Sequence, residues 1–393
     1  MPVATDRPDG RLRSAGTSPA AGRDGEKRPR APLWAKLITV FGAVLLLAST
    51  GTAVAATYLL GKVTDNLQTT DSVLGAGGGV GAQTGGKLPD GAVNLLMLGL
   101  DTRAGWEKSG LGSRSDTIIV LHIPASRDKM QMLSIPRDTY AQIPADEELH
   151  FGGSSGRING AFMYGSQGTG GWKGGMKLAT KAVHDLTGIS FNGVVIIDFA
   201  GFKDILEALG GVRMCVDQRM WSSHYVVDGK GKISYAKGAD PTSPPSNALW
   251  FEKGCRDMKA WEALEYSRLR HSANGDYDRQ RHQQQLLKAM AKKATSNGVL
   301  TNMSKLSKLL EAAGSSLKID PNGVPIADFF FGLKGLANAE MMPIRSNGGT
   351  YVKAPGGAEG TSDETKALFA AAAADKLDAF LLDHPKMTIN STS

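Results

Sequence analysis

Residues 37–60, LITVFGAVLLLASTGTAVAATYLL, run for 24 positions without a charge, and no other feature constrains this chain as strongly. At a rise of about 1.5 Å per residue, a helix of that length spans about 36 Å, enough to cross a hydrocarbon core of about 30 Å. Residues 1–36 carry eight Lys/Arg against four Asp/Glu, and no matching basic cluster follows the apolar run. That asymmetry predicts a single-pass anchor with a cytoplasmic N-terminus and everything after it outside the cell. The competing reading is a signal peptide cleaved near Ala53-Val54-Ala55. Both readings export the remainder.

The charge map also weighs against nucleic acid as a partner. The total of +7 over 393 residues falls to +3 once the N-terminal tail is set aside, so no strongly basic domain remains. Export fits the cysteine usage. Cys215 and Cys255 are the only two, and a pair outside the cell predicts one disulfide rather than two buried thiols.

Residues 1–36 read as a disordered basic tail, 37–60 as the transmembrane helix and 61–91 as a flexible, Gly-rich linker. A folded region begins at 92. VNLLMLGL (93–100) is a continuous apolar run of buried-strand length. TIIVLHI (117–123) and KMQMLSI (129–135) flank the turn PASRD and predict an antiparallel hairpin. VVIID (194–198) is a further strand, and Asp198 is placed to cap a helix that Gly210-Gly211 ends. VRMCV (212–216) is again a strand, and DMKAWEALEYS reads as a helix with Asp257 as its N-cap. Strands alternating with helices predict an α/β fold with a mixed central sheet flanked by helices. The main domain is assigned to 92–298, and 299–385 to a C-terminal extension or the last layer of the same domain, before a short tail at 386–393.

The charges at the strand ends point to chemistry. Asp101 follows the first run, Asp116 precedes the second and Arg137 follows the third. In an antiparallel hairpin Asp116 and Arg137 meet at one rim, and Asp101 joins them if the first run lies parallel to the third. Two carboxylates there repel unless a cation separates them, and an oxygen-rich site with few protein ligands suits Mg²⁺ (or Mn²⁺). Downstream, YSRLRHSANGDYDRQRHQQQ holds four arginines between 266 and 285. At helical spacing Arg279 and Gln283 extend the stripe of Leu286, Leu287 and Met290 toward the core rim, while Arg281 and Gln285 face away. Arg268 and Arg270 alternate in a short extended segment and share a face, and Asp276 or Asp278 caps the helix. Arginines at a core rim need an anion: a structural carboxylate, or phosphate oxygens that the guanidinium fork matches.

GAQTGGK (81–87) approaches a phosphate-loop pattern, but Leu88 stands where the motif needs Ser or Thr and no strand precedes it. GGSSG (152–156) lacks the strand–turn–helix context of a nucleophile elbow. Paired CxxC and HExxH motifs are absent, so zinc has no support.

NLLMLGLDTR, SRSDTIIVLHI, MLSIPRDTY, RINGAFMYG, DFAGFKDILEALGGV and YSRLR…GDYDRQRHQQQLL, in this order across 92–295, resemble the LytR–CpsA–Psr family, and the cysteines and RQRHQQ its actinobacterial members. The resemblance implies a phosphotransferase that moves a glycopolymer from a polyprenyl-pyrophosphate carrier to peptidoglycan through a phosphodiester. It implies that Asp101 and Asp116 bind Mg²⁺ and that Arg103, Arg114, Arg137, Arg268, Arg270, Arg279 and Gln283 hold the pyrophosphate. Leu100, where a small polar residue is common, and His282, where many members carry another arginine, depart from the pattern. The alternative from a different class is a non-catalytic polyprenyl-phosphate carrier or regulator.

Overall fold

The computed structural model describes residues 68–70, 73–74, 87–102, 112–236, 243–299, 302–326, 329 and 339–389. The expected membrane segment and Arg103 lie outside them. No helix among the described residues is long and apolar enough to cross a membrane.

The strands are β1 (Gln68–Thr69), β2 (Val93–Leu100), β3 (Ser115–Ile123), β4 (Lys129–Ile135), β5 (Tyr140–Ile143), β6 (Ser154–Arg157), β7 (Gly193–Asp198), β8 (Val212–Val216), β9 (Met220–Val227), β10 (Ile233–Tyr235), β11 (Ala248–Phe251), β12 (Gly254–Met258), β13 (Leu317–Asp320) and β14 (Glu340–Arg345). The α-helices are α1 (Gly160–Ser166), α2 (Gly171–Thr187), α3 (Phe199–Ala208), α4 (Ala260–Tyr266), α5 (Asp276–Ser296), α6 (Met303–Ala313), α7 (Asp363–Ala373) and α8 (Leu377–Asp383).

Seven strands form the central sheet in the order β1-β13-β7-β2-β3-β4-β14. β3 is antiparallel to both β2 and β4, as the short turn between β3 and β4 dictates. β2 therefore runs parallel to β4, and both end at the rim where β3 begins. β7 lies parallel to β2 and β14 parallel to β4, so the sheet is mixed. β13 and β14 belong to this sheet, so segments after residue 298 are woven into the main fold.

Alternation along the strands builds two apolar faces. Leu96, Leu98, Leu100, Ile118, Val120, Leu133 and Ile135 pack with Phe162, Met176 and Leu178 of α1 and α2 and with Leu368 and Leu381 of α7 and α8. The opposite face meets α3, α5 and α6. Ile319 of β13, with Val195 and Ile197 of β7, packs on Leu310 and Ala313 of α6. The result is a sheet covered by helices on both sides, as expected.

Several local expectations change. α4 begins after Lys259, whose N–H donates to the Glu262 carboxylate at 2.8 Å, while Asp257 lies in β12 opposite Arg213 of β8. α5 begins after Gly275 at φ 52°, a conformation that favours glycine, so neither Asp276 nor Asp278 is the cap and both sit in the first turn. The C-terminal helical stretch is divided into α7 and α8, with Asp375 at φ 54° between them. Asp198 does cap α3, accepting from the Gly201 N–H at 2.9 Å.

The linker expected over 61–91 is not free throughout. β1 pairs with β13, and the N–H groups of Val73 and Leu74 donate to Asp320 Oδ2 at 2.9 and 3.0 Å. Two satellite sheets, β10-β9-β11 and β12-β8, arise from 212–258. Cys215 and Cys255 face each other across β8 and β12 and are joined by a disulfide that closes a 40-residue separation.

Candidate active site

The rim where β2, β4 and β7 end and β3 begins collects the charged residues. Arg137, just past β4, donates from Nη1 to Asp116 Oδ2 at 2.6 Å. Arg270 Nη2 approaches the same oxygen at 3.6 Å, and its Nε lies 3.7 Å from Asp276 Oδ1. Arg279 Nη2 holds that Asp276 oxygen at 2.8 Å. Asp116, Arg137, Arg270, Asp276 and Arg279 thus form one chain of alternating charge drawn from three separate parts of the sequence. The sequence reading gives Asp276 only a capping role; its i,i+3 spacing to Arg279 is the signal that it is a counter-ion.

The guanidiniums of this cluster crowd one another. Burial, and then the guanidiniums of Arg279 and Arg137, pull the Arg270 pKa down to about 10, although 38% of the side chain still reaches solvent. Asp276 is held below the usual carboxylate range: burial opposes this, and Arg279 and the Gln280 amide outweigh it. Arg279 is 3% exposed, and its Nε has no hydrogen-bond partner among the described residues. Arg137 Nε is likewise buried and makes no hydrogen bond among them. Unsatisfied buried donors beside crowded guanidiniums fit an anion with several oxygens.

The other sequence candidates lie around this centre. Asp101 is exposed at the end of β2, where its N–H reaches the Arg114 carbonyl at 3.4 Å. Arg114 donates from Nη1 to Asn159 Oδ1 at 3.3 Å and so turns toward a different cavity. Arg268 stacks over Phe199, 4.1 Å from the ring centroid, and it sits in a turn after α4 rather than an extended run. Gln283 lines an apolar groove instead of joining the arginines.

That groove lies between the sheet and α3, α4 and α5, and it comes nearest the cluster in sequence at Thr117, next to Asp116, and at Gln283, four residues after Arg279. Met97, Gly99, Thr117, Ile119, Val195 and Ile197 form its floor, and Phe199, Phe202, Leu264, Leu286 and Leu287 form its walls. It is narrow and partly open to solvent. Gly99 keeps the floor low, because a Cβ there would meet the Thr117 Cβ at 2.9 Å.

Arg281 faces away from this groove, as helical phase predicts, but not into solvent. It pairs with Asp217 and, at 2.9 Å, with Asp278. His282 is 1% exposed and bonds Asp217 Oδ1 and the Tyr266 hydroxyl at 3.2 and 3.0 Å. Gln285 donates to the Cys215 carbonyl at 3.1 Å. These three residues fasten α5 to β8 and take no part in the charged rim.

The donor set can be tested against a metal. Asp116 Oδ1 is buried without a hydrogen-bond partner, and Asp101 ends the neighbouring strand. No group of three His, Cys, Asp or Glu residues assembles among the described residues. Carboxylate oxygens alone, without His or Cys, are a hard donor set that fits Mg²⁺ or Mn²⁺ and not a closed zinc site.

Known proteins agree with this architecture. Over 226 residues the chain is 29% identical to the polyisoprenyl-teichoic acid–peptidoglycan teichoic acid transferase TagV of Bacillus subtilis, covering 57% of this chain and 49% of the relative. Over 219 residues it is 31% identical to the probable cell wall biosynthesis protein LcpB of Corynebacterium glutamicum, covering 53% of this chain and 44% of that one. The matched stretch thus spans about half the length of these relatives. The crystal structure of protein gbs0355 from Streptococcus agalactiae shares the fold with a TM-score of 0.56, at 21% identity over 74% of this chain and 88% of that one. The LytR_cpsA_psr family profile matches residues 56–363, well over half of the sequence. The chain belongs to the LytR–CpsA–Psr family.

Proposed function

We propose that this protein transfers a glycopolymer from a polyprenyl-pyrophosphate carrier to peptidoglycan and forms a phosphodiester bond. One observation carries the reading: crowded arginines and aspartates gather at the sheet rim, one residue from Thr117 and one helical turn from Gln283, both of which line an apolar groove. A diphosphate joined to a prenyl chain has that same division, anionic at one end and apolar along its length. The names of the relatives point the same way.

In this reading the prenyl chain lies in the groove over Met97, Ile119 and Val195, and the diphosphate rests against Arg137, Arg270 and Arg279. Arg268 and Gln283 border the passage between them, Arg114 flanks the far side, and Arg103 is retained from the motif LDTR. An acceptor hydroxyl oxygen bonds to the sugar-proximal phosphorus. The bond from that phosphorus to the bridging oxygen breaks, and polyprenyl phosphate departs with the electron pair. The hydroxyl proton is assigned to Asp101, the exposed carboxylate at the rim. The chain itself positions the reactants and neutralises their charge, which together account for most of the catalysis in phosphoryl transfer. Mg²⁺ or Mn²⁺ held by Asp101 and Asp116 would supply further neutralisation of the diphosphate. Residues 37–60 serve as the single-pass anchor, with the N-terminus cytoplasmic and the active domain outside.

The test uses the purified full chain, a radiolabelled polyprenyl-pyrophosphate-linked glycan, isolated peptidoglycan and Mg²⁺. Label becomes covalently attached to peptidoglycan as polyprenyl phosphate is released. Tight donor binding without transfer would leave the carrier reading in its place.

A further inference from the structure

A second cavity opens beside the charged rim and has no role in the reaction as described above. It encloses about 740 Å³, part of it open to solvent. Arg114, Arg137, Asp138, Arg157, Asn159 and Tyr164 line it. Three guanidiniums face one carboxylate. Asp138 forms ion pairs with Arg157 Nη1 at 3.5 Å and Arg137 Nε at 3.6 Å, and Arg157 Nη2 also donates to the Gly357 carbonyl at 3.4 Å. Arg137 Nε is buried and makes no hydrogen bond among the described residues. The polar walls are firmly built: the Asn159 N–H donates to the Arg137 carbonyl at 3.1 Å, and the Asn159 side chain holds Arg114.

Its position is defined by the sheet. The apolar groove rests on the face of Met97, Thr117, Ile119, Val195 and Ile197. The polar cavity adjoins Ile143 and the start of α1, which pack with the opposite face, that of Leu98 and Ile118. The two spaces therefore approach the Asp116–Arg137 pair from opposite sides. In-line phosphoryl transfer requires the attacking and departing oxygens on opposite sides of phosphorus. With the departing prenyl phosphate in the groove, the attacking hydroxyl must come from the polar cavity.

We infer that this cavity is the acceptor subsite and takes a saccharide bearing a carboxylate close to its accepting hydroxyl. The inference rests on the proposed transferase reading. Arg157 recognises the carboxylate together with Arg114, while Arg137, bonded to Asp116, links the cavity to the charged rim. An anionic group on the donor's own glycan shares this chemistry, and kinetics separates the two sources.

The experiment is steady-state transfer by the full chain carrying Arg157→Gln, with the labelled lipid-linked donor and peptidoglycan strands as acceptor. Arg157 is 49% exposed, so the variant is expected to fold, and its melting curve checks this. The acceptor KM rises about tenfold and the donor KM stays within twofold. Arg157→Lys recovers part of the loss. Acceptor strands with amidated carboxylates bind the unmodified protein about tenfold more weakly and no longer distinguish Arg157→Gln from it. An unchanged acceptor KM, or a rise confined to the donor KM, overturns the subsite. Absence of transfer by the unmodified protein overturns the transferase reading itself.

Discussion

Arg137 bonds Asp116 at 2.6 Å across the rim where β4 ends and β3 begins, and the same carboxylate leaves its other oxygen buried and unbonded. One residue thus positions a guanidinium and retains a free acceptor. In the proposed reaction each half has its own role. Arg137→Ala should lower transfer about a hundredfold or more, the scale seen when one charge-stabilising donor is lost. Asp116→Ala should do the same. Circular dichroism and melting curves must show that both variants fold; full activity in either would remove the rim from the mechanism.

Chelation should abolish transfer by the full chain, and Mg²⁺ or Mn²⁺ should restore it, whereas Zn²⁺ should not. Asp101→Asn should raise the half-saturating Mg²⁺ concentration about tenfold. The readout is a metal titration by calorimetry alongside the activity. Undiminished turnover after exhaustive chelation would contradict the two-aspartate site.

Leu287 lines the apolar groove eight residues, just over two helical turns, beyond Arg279. Leu287→Glu places a carboxylate where a prenyl chain would lie, and an unpaired charge in an apolar site is costly. Polyprenyl phosphate binding should weaken at least tenfold, while binding of inorganic pyrophosphate should change little. Equal losses for both ligands would mean that the groove does not hold the chain.

Breaking the cross-strand disulfide with Cys215→Ser and Cys255→Ser together should cost about 4 kcal/mol by chain entropy for a loop of this size. Chemical denaturation measures the loss. Because α5 is fastened to β8 through the Cys215 carbonyl, the double variant should also lose donor affinity.

Glu265 is buried beneath β9 and bonded by the Ser222 hydroxyl at 2.6 Å and by His224 Nδ1 at 3.0 Å. Burial alone would raise its pKa, but His224 and Ser222 outweigh it and hold the carboxyl below its ordinary value. A carboxylate depressed in the folded state stabilises above its unfolded pKa, about 4.3, and that stability is lost as pH falls through the folded value. Denaturation midpoints should therefore be level near neutrality and decline below about pH 4. Glu265→Gln should flatten this acid decline, because its titration is removed.

The rim is legible in the sequence because two local facts determine it. PASRD is too short for anything but a hairpin, and charged residues stand immediately outside apolar runs. Helical phase correctly sends Arg279 to the centre and Arg281 away from it. Phase does not reveal that β8 and its neighbours cover the other side of α5, so Arg281 and His282 become anchors rather than a solvated face. The pairings of β13 with β7 and β14 with β4 join segments more than a hundred residues apart, which local periodicity does not encode. Gln283 lies on the helix face that periodicity predicts, but its neighbours in space are apolar side chains from three strands. The polar cavity is hidden for the same reason: Arg157 is brought there by the pairing of β6 with β5, and Asn159 reaches the Arg137 carbonyl from the turn that follows β6.

The seating of β1 on β13 has a mechanical meaning. With the anchor of the proposed topology ending at Leu60, seven residues separate it from Gln68, where the chain is first held by the sheet. Fully stretched, that leash reaches about 27 Å. In that topology a long free linker would let the domain roam through the wall, whereas a clip at β1 would keep it close to the membrane. The fold would then work like a tool on a short chain, always within reach of a substrate whose prenyl tail never leaves the bilayer, and selecting acceptors by their height above it.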